Sequence, residues 1–103
     1  MPKRIKIPRY VKAVAREGLR ERRLNKAGLT KYQATDLGIS SGVERARQLI
    51  RNKYLKERDA KAIARFYLRF RNKKTPRANT ALKLWGGKSW GFLMAKIYYG
   101  FKG

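Results

Sequence analysis

The sequence predicts an all-α protein, a compact bundle of five to six short helices. Three observations support this. Apolar residues recur at helical period along most of the chain, start and stop signals punctuate it at short intervals, and no segment alternates with period two for long enough to suggest a strand. A length of 103 residues suits one domain and leaves no room for two. Hydrophobic residues at 43% supply a modest core, so the composition is not that of a disordered chain.

Residues 1–7 read as a basic, flexible arm, and residues 8–103 as a single helical domain. Pro8 suits the first turn of a helix reaching about Asn25, with Val11, Val14, Ala15 and Leu19 as a thin apolar stripe. Gly28 ends that segment. Thr30 then suits the cap of a short helix through Leu37, closed by Gly38. Ser41-Gly42-Val43-Glu44 reads as a capping box opening a helix to about Asn52, with Val43, Ala46, Leu49 and Ile50 apolar. A helix from about Glu57 to Arg71 carries Ile63, Phe66, Tyr67 and Phe70 inward. After a basic loop, Thr75-Pro76 places a capping residue before a proline at the first helical position. That helix stops at Gly86-Gly87. Ser89 then suits the cap of a last helix with Trp90, Leu93, Met94, Ile97 and Tyr98 at helical period. The expected core is Trp85, Trp90, Phe66, Phe70, Ile63 and Val43.

Charge carries the functional reading. Lys and Arg number 28 against six Asp and Glu, a formal net charge of +22. Eleven of those basic residues follow Asp59, and no carboxylate side chain does. The excess is therefore spread through the fold rather than held in one tail. So much like charge on a small body repels itself, a cost that a polyanionic partner offsets. Nucleic acid is the commonest such polyanion, ahead of anionic membrane and acidic protein.

The basic residues also fall in rows. Lys12, Arg16, Arg20 and Arg23 follow a spacing of four, four and three on the first helix. Arg47 and Arg51 share a face of the third, and Lys61, Arg65 and Arg69 sit four apart on the fourth. Lys73, Lys74 and Arg77 lie in and after the basic loop, and Lys88 stands beside a helix start. Such rows match backbone phosphates, and Arg adds forked hydrogen bonds. A solvated face is normally mixed in sign, whereas residues 60–103 are not. These thirteen residues are the expected nucleic-acid contacts.

Other chemistry is poorly supplied. The chain has no Cys and no His, which excludes disulfides, thiolate or imidazole metal sites and Cys or His catalysis. Glu17 and Glu21 read as ion-pair partners for neighbouring Arg residues rather than as an acid–base pair. No enzyme activity, cofactor, metal or small-molecule substrate is expected. No apolar run reaches the ~20 residues of a membrane span, and the opening residues lack an apolar signal core. A reducing interior is the expected setting.

Three local patterns compete with plainer accounts. Ala34 and Gly38-Ile39-Ser40 suit a helix-turn-helix, but Glu44 stands where the next apolar residue belongs, and a helical hairpin explains the segment as well. Gly86-Gly87-Lys88-Ser89 ends like a phosphate-binding loop, yet Leu82 replaces its first glycine and a helix, not a strand, precedes it. A helix break is the better account, with Lys88 still placed to hold one phosphate. Nine of twelve aromatics follow residue 60, and most have core periodicity. Tyr98, Tyr99 and Phe101 remain open between closing the core, stacking on bases and self-association.

From Gly42 onward the chain resembles a small domain that recurs in tailed-phage and prophage genomes. The resemblance rests on Gly-Val-Glu-Arg-Ala-Arg-Gln-Leu at 42–49, Ile63-Ala64-Arg65-Phe66-Tyr67 and Leu84-Trp85-Gly86-Gly87. Ile7-Pro8 to Gly18-Leu19 fits the opening of that domain, so the likeness covers most of the chain. The family often carries an arginine-histidine pair near Leu68 and an acid after the double glycine. Here Leu68-Arg69 and Lys88 stand instead, which removes any chemistry those groups serve. The resemblance implies a phage origin and a shared helical fold, not a mechanism.

The expectation is thus a small basic phage-type protein that binds nucleic acid through phosphate-backbone contacts, with DNA favoured and weak sequence selectivity. It would act in the cytoplasm of a phage-infected bacterial host, nucleoid-associated or packaged in the virion. Two rivals belong to other classes. One is a protein that docks on an acidic surface of a host or virion protein, and the other a cationic membrane-active protein with exposed tryptophans.

Overall fold

A computed structural model describes residues 2–25 and 42–103. The short helix expected over 30–37, the Ser41 cap and most of the helix-turn-helix segment lie outside the described residues. Within them, five helices and a two-stranded sheet follow in the order β1 (Arg4–Lys6), α1 (Arg9–Asn25), α2 (Gly42–Arg51), β2 (Tyr54–Lys56), α3 (Glu57–Phe70), α4 (Pro76–Leu84) and α5 (Lys88–Tyr99). The protein is an all-α bundle with one small sheet.

Helix α1 packs on α2 and α4, and α3 packs on α5. The approach of α1 to α4 depends on Gly18. A Cβ there would lie 2.8 Å from the Leu84 backbone nitrogen, so any larger residue pushes the two helices apart. Helix α3 and Trp85, the residue that follows α4, form the aromatic centre. Phe66 stacks on Trp85 with centroids 4.3 Å apart and on Phe70 at 4.4 Å. Trp90, Leu49, Ile63, Met94 and Val11 are fully buried around it.

The strong start signal at Thr75-Pro76 forms as expected. Pro76 occupies the first turn, and the Thr75 hydroxyl oxygen accepts from the Ala78 N–H at 3.1 Å. Helix α4 ends where Gly86 and Gly87 take φ of 102° and 95°, a region open to glycine and strained for other residues.

Four expectations need correction. Residues 4–6 are not a frayed arm, because Ile5 pairs with Leu55 in an antiparallel ladder extended by Ile7 N–H to the Lys53 carbonyl. Buried Ile7 and Leu55 drive this pairing, and three-residue strands are too short to show period-two alternation. The Tyr98 hydroxyl ties the end down further, donating to the Pro2 carbonyl at 2.8 Å. Burial, with Glu57 nearby, holds that phenol above its ordinary pKa. Ser89 is not a cap, since α5 begins two residues earlier than such a cap implies, with Gly87 at the cap position and no side-chain cap bond. Val43 is not core. The buried residues of α2 are Gly42, Arg45, Ala46 and Leu49, a face rotated by one position from the expected stripe. Glu21 pairs across the fold with Lys83 of α4, not with a neighbouring Arg, and accepts from Thr80 at 3.0 Å.

Candidate functional site

Five arginines gather where α1 meets α2. Arg16, Arg20, Arg22 and Arg23 of α1 and Arg47 of α2 line a depression of about 570 Å³. Half-buried Leu19 and Val43 form its apolar part. Helical geometry explains the assembly. Residues 16, 19, 20 and 23 recur at the i, i+3, i+4, i+7 spacing of one helix face, and Val43 and Arg47 lie one turn apart on α2. Among the described residues, the carboxylate on these arginines is Glu17, which accepts from Arg20 at 2.8 Å. The Arg20 guanidinium holds the exposed Glu17 carboxyl below its usual pKa.

Four expected contact residues therefore come together here: Arg16, Arg20, Arg23 and Arg47. Arg22 joins them, although it stands outside the row of four, four and three. The signal for it was Leu19, three residues earlier on the face that turns to α2. Arg51, on the same helix as Arg47, is exposed but does not line the depression.

Lys12 does not belong to this surface. Its half-buried ammonium donates to the carbonyls of Leu49, Ile50 and Asn52, at 2.9, 3.0 and 2.5 Å. Those are the carbonyls that the end of α2 leaves without helical partners, so Lys12 caps α2 from α1. A phosphate would have to displace three good acceptors. Replacing Lys12 with Met is expected to cost about 1–3 kcal/mol of stability in urea denaturation, since charged hydrogen bonds are lost and carbonyls stranded. An exposed lysine in so cationic a chain would show the opposite sign, because its removal relieves repulsion.

The remaining expected residues are dispersed. On α3, Lys61 is half-buried and Arg69 exposed, while Arg65 donates to the Tyr99 hydroxyl at 2.9 Å. Lys73 lies 5.4 Å from the Phe70 ring centroid, a cation–π contact, and Lys74 and Arg77 are exposed. Lys88 is exposed at a second depression of about 330 Å³, beside Tyr10 and Ser89. Helix α4, not a strand, precedes it, as the degenerate loop pattern implied.

Five guanidiniums around an apolar floor offer paired N–H donors to oxyanions at several points along one strip. This is the chemistry that binds consecutive phosphates. No described helix is long and apolar enough to cross a membrane. Trp85 and Trp90 are 4% and 1% exposed, which denies the membrane-active rival the exposed tryptophans it requires. No family model, curated protein or solved structure matches the chain.

Proposed function

We propose that this is a small basic phage-type protein that binds nucleic acid through the arginine-lined depression between α1 and α2. The observation that carries the reading is the convergence of five arginines from two helices, with Glu17 on Arg20 their described counter-ion. Scattered solubilising charge has no reason to gather in a concave strip. A phosphate backbone does, because each guanidinium neutralises a phosphate and releases its condensed counterion.

Binding is mainly electrostatic and weakly sequence-selective, with DNA favoured over RNA. The apolar floor and guanidinium forks contact backbone, which carries no sequence information directly. The setting that fits is the cytoplasm of a phage-infected bacterium, on the nucleoid or within the virion.

A salt titration tests this. If six to ten phosphates are contacted, duplex affinity should fall about 10³–10⁵-fold between roughly 50 and 200 mM salt. A flat response in fluorescence anisotropy would refute the reading. A nuclease-insensitive pull-down of an acidic protein would then put the protein-docking rival in its place.

A further inference from the structure

We propose that a groove at the end of α5 is a second binding site, taking the base of an unpaired nucleotide; this rests on the nucleic-acid reading above. Helix α5 ends at Gly100 in the left-handed conformation, φ 64°, and the Phe101 N–H returns to the Ala95 carbonyl at 3.2 Å. That turn folds Phe101 back beside Phe92, with centroids 5.7 Å apart and rings at 73°. Tyr67 of α3 meets both rings at near-right angles, at 6.2 and 6.0 Å, and so fixes their orientation.

The two phenylalanines are only half-buried, and both line a groove of about 390 Å³. Exposed Lys96 and Lys102 line it with them. The Arg71 guanidinium lies 4.9 Å from the Phe101 centroid. Residues 60–103 hold no Asp or Glu side chain to pair with these cations. A groove with aromatic walls and cations at its edge matches a flat ring carrying an anion. An unpaired nucleotide has both parts, its base stacking on phenylalanine and its phosphates meeting lysine.

A stacked duplex base has no face free to enter, whereas a single strand offers one at every residue. The arginine depression reads phosphates, which both forms present. The groove therefore gives the protein a preference for single strands that the depression alone does not supply.

The test compares the full chain with a Phe92→Leu/Phe101→Leu variant, which keeps apolar bulk and removes the stacking faces. Each is titrated with a thymine homopolymer strand and with a duplex of equal length. The variant should lose about 5- to 150-fold on the single strand, the range for one stacked base, and little on the duplex. In parallel, a 5-iodouracil strand photo-crosslinked to the unaltered protein should mark Phe92 or Phe101 by mass spectrometry. That readout holds even where the variant folds poorly. Equal losses on both ligands, or a crosslink confined to other residues, would overturn the inference and leave the depression standing. Failure of the unaltered protein to bind either ligand would overturn both. A polyglutamate peptide that binds the unaltered protein but not the variant, with single-strand affinity unmoved, would assign the groove to an acidic protein instead.

Discussion

A chain carrying Arg16→Glu, Arg23→Glu and Arg47→Glu is expected to bind a DNA duplex about a thousandfold more weakly near 50 mM salt. The magnitude follows from counterion release. Each phosphate contact contributes about 0.9 to the slope of log affinity against log salt, so three contacts amount to between three and four decades at that concentration relative to ~1 M. The salt slope itself should fall by about three. Arg20 is left out because Glu17 already occupies it. A Lys73→Glu, Lys74→Glu and Arg77→Glu chain carries the same net charge, with its changes on the α3–α4 connection and the start of α4. If both triple variants lose affinity equally, only bulk charge matters and the depression is not a site. If the first alone collapses while its circular dichroism is unchanged, the depression is where phosphate binds.

How much of this was legible in the sequence depended on whether a feature was local. The Thr75 cap and the Gly86-Gly87 break involve residues within one turn of each other, and both read correctly. The stripe of Ile63, Phe66 and Phe70 also stands as expected, because α3 buries one continuous face. The two strands were not legible. Each spans three residues, and their pairing is determined by what Ile7 and Leu55 bury rather than by any pattern of their own.

The candidate site shows the same division. A row of basic residues on α1 was visible, but its members have different fates. Arg16, Arg20 and Arg23 turn toward α2 along the depression, whereas Lys12 meets the far end of α2 and is consumed by its carbonyls. Only the packing of α1 on α2 separates the two roles. The aromatic residues left open at the tail divide similarly. Tyr98 closes the core, Tyr99 is an exposed acceptor for Arg65, and Phe101 folds back on Phe92.

The rotated face of α2 follows from one residue, and it leads to the largest expected loss of stability. Arg45 occupies a core-facing position, 9% exposed, held there by three neighbours, although its Nε has no hydrogen-bond partner among the described residues. Its guanidinium donates to Asp59 at 3.1 Å and to the Gln48 side-chain oxygen, while Gln48 in turn donates to Asp59 at 3.0 Å. The Trp85 ring lies 4.7 Å from its central carbon. Removing the carboxylate with Asp59→Ala leaves a buried cation with no counter-charge, in a chain already at +22. Stripping one partner from a buried pair costs about 3–5 kcal/mol, and the residual exposure of Asp59 places this case near 3. That is a large share of the ~5–15 kcal/mol a domain holds in total. The midpoint of thermal unfolding should drop by roughly 12–20 °C. Removing both charges with Arg45→Met and Asp59→Leu should recover most of the loss, since the penalty lies in the orphaned cation rather than in the missing bond. Should Asp59→Ala melt with the unaltered protein, the pair is not what seats α2 on α3 and α4. Because α2 also carries Val43 and Arg47, a loosened α2 would widen the depression. Asp59→Ala is thus expected to weaken duplex binding from a position that touches no phosphate, while Arg45→Met/Asp59→Leu restores it.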